Sequence, residues 1–186
     1  KKHTRASIKI QDGCNFYCSF CVIPFARGPA RSREFDNIIQ EVVTLTDNNY
    51  QEVVITGINV GTYEHEAQSI SDVIEKLSDI PKLKQIRISS IEPTTIPKDL
   101  IKQTLPNGKV CRHLHIPIQS GSNDILKKMR RKYSVEEYDE FIQYISKSVP
   151  NCMIGTDVIT GFPGETDKLF KETFSYLESS PIHYFH

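Results

Sequence analysis

The sequence predicts an α/β fold, a partial (β/α)6 TIM-like barrel. Three observations predict it. Short apolar, strand-like runs alternate with amphipathic, helix-like runs along the whole chain, the pattern of repeated β-α-β units and a parallel sheet. The Val53-Val54-Ile55 run reads as a parallel strand buried on both faces. And 186 residues suit one domain of about six units, short of the roughly 250 residues of a full eight-unit barrel.

The strands are expected at Ala6–Gln11, Glu52–Thr56, Gln85–Ser90, His113–Ile118 and Met153–Thr160, with a last one beginning near His183. The helices fall between them. Asp36 is placed to cap a helix that carries Ile38, Ile39, Val42, Val43 and Leu45 on one face. Ser69 caps the next, with Ile70, Val73, Ile74 and Leu77. Pro97 suits a first helical position ahead of Leu100 and Ile101. Ser122 precedes Ile125, Leu126 and Met129. Ser134 and Glu137 have capping-box spacing before Tyr138, Phe141, Ile142 and Ile145. Thr166 leads into Leu169, Phe170, Phe174 and Leu177. In such folds chemistry gathers at the C-terminal ends of the strands.

Composition narrows the class. The 23 basic and 23 acidic side chains cancel, which excludes a nucleic-acid binder acting through bulk charge. No apolar run approaches the roughly 18 residues of a membrane-spanning helix, and no signal-peptide pattern opens the chain. The absence of an initial Met, and an end at His183-Tyr184-Phe185-His186 inside a strand, suggest a piece of a larger protein.

Five cysteines are too few for a disulfide scaffold, yet three of them fall within eight positions, Cys14, Cys18 and Cys21. They follow the first strand in a segment, Asp12 to about Arg33, far longer than the usual 2–6-residue β-α loop. Its Phe16, Tyr17, Phe20, Val22, Ile23 and Phe25 argue for order and for shielding of an inorganic centre from water. A closed zinc site wants a fourth protein ligand, and the nearest His or Cys in sequence is His3. A [4Fe–4S] cluster held by three thiolates leaves one iron open.

Cys-x-x-x-Cys-x-x-Cys after the first strand of a partial barrel is the signature of radical S-adenosylmethionine (SAM) enzymes. The neighbouring Ile23-Pro24, Arg27-Gly28 and Arg31-Ser32-Arg33 resemble the methylthiotransferase family within them. So do Leu114-His115-Ile116-Pro117-Ile118-Gln119-Ser120-Gly121-Ser122, Met129-Arg130-Arg131-Lys132-Tyr133 and Gly161-Phe162-Pro163-Gly164-Glu165-Thr166. Lys9-Ile10-Gln11-Asp12-Gly13, Thr56-Gly57-Ile58 and Ser89-Ser90-Ile91-Glu92-Pro93 most resemble the branch acting on threonylcarbamoyladenosine in tRNA. The isopentenyladenosine branch is similar.

The resemblance implies residues 1–186 are a radical-SAM core domain, truncated in its last strand, of a cytoplasmic enzyme. An N-terminal domain with an auxiliary [4Fe–4S] cluster and a C-terminal RNA-binding domain are expected beyond it. It implies Cys14, Cys18 and Cys21 as ligands of a [4Fe–4S] cluster. The cluster would bind SAM, accept an electron from a one-electron donor, and release a 5′-deoxyadenosyl radical toward C2 of an adenosine in the tRNA anticodon loop.

Gly57 and Asn59, past the second strand, are expected near the amino group of SAM. Ser90 and Glu92 past the third strand, and Gln119 and Ser120 past the fourth, are expected near its ribose or carboxylate. Asp157, flanked by apolar residues, needs a partner; Arg131 or a ligand amino group is expected. Cys111, His113 and His115 alternate onto one strand face, but the family strand carries His there without a second metal, and lone cysteines are usually buried hydrophobes. Arg27, Arg31, Arg33 and the Lys127–Lys132 run are expected to form a basic rim for RNA.

Overall fold

The computed structural model describes residues 4–103 and 108–186. His3 lies outside them. Six parallel strands carry the fold: β1 (Ala6–Lys9), β2 (Glu52–Thr56), β3 (Gln85–Ile88), β4 (His113–His115), β5 (Met153–Thr156) and β6 (Tyr184–Phe185). They pair in sequence order as two three-stranded sheets, β1-β2-β3 and β4-β5-β6. The sheets are joined where Ile86 bridges Val110. Register matches Ile8 with Ile55 and Ile55 with Ile88 on one side, and His115, Gly155 and Tyr184 on the other. This is the expected partial barrel, with strands shorter than the apolar runs suggest.

Helices pack on the outer face: α1 (Phe35–Asp47), α2 (Ile70–Ser78), α3 (Lys98–Gln103), α4 (Asn123–Lys128), α5 (Val135–Ser148) and α6 (Asp167–Ser179). Ile8, Val53, Ile55, Ile86, Leu114 and Ile154 meet Ile38, Val42, Val73, Ile74, Leu77, Ile142 and Ile145 in one fully buried core. Each such side chain contributes roughly 1.5–3 kcal/mol of burial.

The capping signals at Ser69 and Ser134 form complete capping boxes, Ser69 with Asp72 and Ser134 with Glu137. Asp36 does not cap α1. Glu34 holds that position without a side-chain bond, and Asp36 sits in the first turn, where its charge favours the helix dipole. Ser122 occupies the cap of α4 but donates its hydroxyl to Glu172 instead.

Two expectations about burial fail. Val54 is only half-buried between buried Val53 and Ile55, so β2 alternates rather than burying both faces. The reason is an inner face lined by polar groups. Glu52 pairs with Arg87 at 3.2 Å, and the Tyr184 hydroxyl bonds Nε2 of His113 at 2.8 Å and Nδ1 of His115 at 3.1 Å. Glycine at 155 makes room, because a Cβ there would stand 2.1 Å from the Tyr184 ring. In α6 the packed residue is Thr173, while Phe170 and Phe174 face outward. The helix approaches the turn at Gly121 so closely that a Cβ there would lie 2.8 Å from the Thr173 Cα. Such an approach selects small residues and turns the phenylalanines aside.

Candidate functional site

The first strand ends at Lys9, and the chain leaves the barrel at once. Gln11–Asp12 pairs antiparallel with Arg31–Ser32, tying off residues 13–30 as a closed excursion. Gly13 starts it with φ of 73°, and a Cβ there would meet the Pro29 carbonyl oxygen at 2.0 Å, so only glycine fits. Asp12 locks the base of the loop. Its carboxylate accepts from the Gly13 N–H at 2.9 Å, from Lys9 at 2.7 Å and from Arg31 at 3.1 Å, with Arg27 at 3.6 Å. The Lys9 hydrogen bond, foremost among these partners, holds its pKa below the usual value.

Within the loop, Cys14, Cys18 and Cys21 are free and half-buried. Tyr17 adopts a left-handed φ of 52°, folding the chain between the first two thiols. The Cys21 N–H donates to the Cys18 carbonyl at 3.0 Å. Burial pushes the Cys14 thiol up; a backbone hydrogen bond at Phe16 opposes this, and the proximity of Cys18, Cys21 and Glu92 adds to it. The three thiols therefore share one electrostatic neighbourhood.

They also share a pocket of about 190 Å³, lined by Cys14, Cys18, Cys21, Phe16, Phe20, Ile58, Asn59, Ser90, Ile91, Glu92, Pro117, Gln119 and Arg131. All but Arg131, which follows α4, come from the loops after β1, β2, β3 and β4, so the pocket lies at the strand C-terminal ends. Among the described residues no group of three or more His, Cys, Asp or Glu converges closely enough to hold a metal ion. Three thiols on one pocket wall, with no fourth protein thiol or imidazole among its lining residues, fit a cluster held by three cysteines.

Of the expected site residues, the pocket gathers Asn59, Ser90, Glu92, Gln119 and Arg131 with the three cysteines. Gln119 holds φ of 73°, a strained value for a side-chain-bearing residue, with its backbone bonded to both Asp157 and Ile159. Gly57, Ser120 and Asp157 are not in the wall. Gly57 is a close-packing position, where a Cβ would lie 3.0 Å from the Gln11 carbonyl oxygen and from Val60. Ser120 is fully buried and bonded to Thr173 at 3.1 Å, as a strut between the turn and α6. Asp157 pairs with His115 Nε2 at 3.1 Å, not with Arg131. Arg131 reaches Glu92 instead, at 2.6 Å. The route is open because Arg130, at φ of 59°, reverses the chain after α4.

Two further residues carry the site that sequence reasoning does not single out. Gln11 is buried. Its Oε1 accepts from the N–H of Ile58 and of Asn59, both at 2.9 Å, and its Nε2 donates to the Gly13 carbonyl at 2.8 Å. It thus ties the start of the cysteine loop to the loop after β2. Tyr133 donates from its hydroxyl to the carbonyls of Pro117 and Ile118, both at 3.0 Å, while accepting from Arg131. A polar residue at the end of an apolar strand is the only local signal for Gln11. For Tyr133 the only signal is its place in the Met129–Tyr133 segment that resembles the family.

The loop's aromatic residues divide. Phe16 and Phe20 line the pocket, Phe20 with part of its ring exposed, whereas Tyr17, Val22 and Phe25 are exposed outside it, with Tyr17 edge-on to Phe25 at 6.0 Å. The basic rim divides too. Lys128 is spent on the Gly164 carbonyl at 2.9 Å and Arg33 on Glu41 and Asn37. Lys132 lies over the Phe16 ring at 4.8 Å, and Arg131 is buried. Lys127 and Arg130 remain exposed on the surface. Cys152 is buried, its thiol pushed up to about 11 by desolvation, as an inert core group. No helix among the described residues is long and apolar enough to cross a membrane.

A model described as the radical SAM superfamily matches residues 8–177. The chain is 43% identical, over 98% of its length and 42% of the relative's, to the threonylcarbamoyladenosine tRNA methylthiotransferase MtaB of Bacillus subtilis. It is 37% identical, over 96% of its length and 40% of the relative's, to a tRNA-2-methylthio-N(6)-dimethylallyladenosine synthase of Clostridium botulinum. The chain thus spans about two fifths of these relatives. Among solved structures, the radical S-adenosylmethionine methyltransferase TsrM of Kitasatospora setae superposes with a TM-score of 0.77 at 16% identity, over 97% of this chain and 35% of that one. That likeness concerns the fold alone.

Proposed function

The chain belongs to the radical SAM superfamily, and from that premise we propose that it is the catalytic core of a tRNA methylthiotransferase. The carrying observation is the joint pocket of Cys14, Cys18 and Cys21 with Asn59, Ser90, Glu92, Gln119 and Arg131 at the strand ends. When bound there, a [4Fe–4S] cluster with SAM supplies reductive, one-electron cleavage of the sulfonium.

The chain's own residues do the rest. Cys14, Cys18 and Cys21 would hold the cluster through three thiolates, which would leave one iron free to take SAM. The side chain of Asn59, held by Thr95 at 3.1 Å, and those of Ser90 and Gln119 offer polar contacts for the amino acid and ribose parts of SAM. Phe16, Phe20, Ile58 and Ile91 keep water from the centre. Asp157, 37% exposed and held by His115, offers a carboxylate for the nucleoside. Exposed Lys127 and Arg130 offer positive charge to the phosphates of an RNA backbone.

The substrate reading is threonylcarbamoyladenosine in a tRNA anticodon loop, supported by the MtaB relative. The sulfur source, an auxiliary cluster, and the RNA-binding module belong on this reading to the parts of the relatives that this chain does not match.

Anaerobic reconstitution of the full protein tests it. Iron and sulfide analysis should drop by one four-iron cluster in Cys18→Ala. The reduced protein should give an electron paramagnetic resonance (EPR) signal perturbed by SAM. Nucleoside analysis of tRNA then separates threonylcarbamoyl from dimethylallyl products. One zinc and no iron at these cysteines would overturn the proposal.

A further inference from the structure

Arg131, expected as the partner of Asp157, occupies an unusual position. Its side chain is only 4% exposed, and each edge of the guanidinium is committed. Nε donates to the Tyr133 hydroxyl at 2.9 Å. One terminal nitrogen donates to both oxygens of Glu92, at 2.7 and 2.6 Å, and to Tyr133 at 2.7 Å. The other terminal nitrogen points at the Cys18 sulfur, 3.2 Å away. The planar fork fixes all these directions at once, which a lysine ammonium cannot do. Burial opposes the charge, but Tyr133, Glu92 and Cys18 together outweigh it and the guanidinium stays protonated. Burial pushes the Glu92 carboxyl above its ordinary value, and the neighbouring Arg131 only partly pulls it back.

We propose that Arg131 is a positioning residue for the cluster: it donates a hydrogen bond to the Cys18 thiolate and so raises the cluster's reduction potential, while Glu92 aims the guanidinium and offsets its charge. The inference rests on the reading of Cys18 as a cluster ligand. Its physical basis is general. A donor to a ligating sulfur withdraws electron density and favours the reduced state, and burial strengthens the effect. Electron transfer to SAM depends on that potential, so the chain itself sets how hard the one-electron donor must push. The pair also explains why a buried ion pair is kept where apolar packing would be no less stable: it supplies an aimed N–H without leaving a net charge beside the cluster.

The two partners make opposite predictions. In the full protein, reconstituted anaerobically, the cluster is followed by EPR redox titration through the signal that SAM perturbs. Arg131→Met should move its midpoint to a more negative potential, lowering the reduced-to-oxidised ratio at a fixed poise by roughly tenfold. Glu92→Gln leaves the guanidinium charge uncompensated and should move the midpoint the other way. Arg131→Met with Glu92→Gln removes both charges together, avoids an orphaned carboxylate, and should still show the negative shift. Iron content per chain is measured alongside, so that loss of cluster is not read as a shift. A normal wild-type signal whose midpoint is unmoved in the single and double Arg131→Met variants overturns this proposal alone. A wild type with no SAM-sensitive iron–sulfur signal overturns the cluster reading and this proposal with it.

Discussion

Replacing Gln11 by Leu keeps the side-chain volume and removes every polar contact it makes. Its single Oε1 serves two backbone donors, Ile58 N–H and Asn59 N–H, each at 2.9 Å. Asn59 is buried, so its N–H gains no water in exchange; Ile58 is half-buried and recovers part of its loss. The Gly13 carbonyl loses its 2.8 Å donor as well. An unsatisfied buried group costs about 1–3 kcal/mol. One full penalty at Asn59 and partial ones at Ile58 and Gly13 sum to a loss of about 2–4 kcal/mol. The chain has no Trp, so denaturant unfolding is followed by far-UV circular dichroism. Amide hydrogen exchange over residues 57–60, measured by mass spectrometry, locates the loss. Gln11→Glu retains the acceptor and should recover part of both signals. A Gln11→Leu protein within about 0.5 kcal/mol of wild type, with unchanged exchange at 57–60, would refute the view that Gln11 holds the two loops together.

Two further predictions follow from packing and titration. Gly121→Ala brings a Cβ to 2.8 Å from the Thr173 Cα, a backbone atom that moves only with the helix; a loss of about 1–3 kcal/mol in denaturant unfolding is expected, and a neutral result would mean α6 is free to shift. Burial, then Arg87 and His115, depress the pKa of His113 below its ordinary 6.5. The unfolded chain then binds the proton more readily, so this group's contribution to stability is full above pH 6.5 and is lost as pH falls toward the depressed value. His113→Gln should flatten that acid-side decline in unfolding free energy. A decline as steep as wild type would show that other groups cause it.

The elements of the fold were legible because each depends on residues close in sequence. Val53 and Ile55 beside a turn, or Ser134 three residues before Glu137, carry their own instructions: apolar period and cap chemistry act within one element. The three cysteines were legible for the same reason, since their spacing confines them to one loop. Asn59, Ser90, Glu92 and Gln119 were reachable by rule, because strand ends converge in a parallel barrel.

What was not legible turns on which surfaces meet. Nothing local distinguishes Ser120, a buried strut, from Gln119, a pocket wall one residue away. Phe170 and Phe174 have the right type for a core and lose it to Thr173, because α6 lies too close to Gly121 for a ring. The inner face of β2 looked apolar from Val54, but it is shared with Glu52 of the same strand and with Arg87, which only assembly brings alongside from β3.

The sequence by itself determined the α/β barrel, the capping boxes at Ser69 and Ser134 and the thiol-bearing loop, all products of short-range pattern. Only the tertiary structure decided that Arg131 turns from Asp157 to Glu92 and, across 113 residues of chain, to Cys18. A buried charge takes whichever partner the packed loops deliver within hydrogen-bond reach, and that distance exists only after the strands have closed around it.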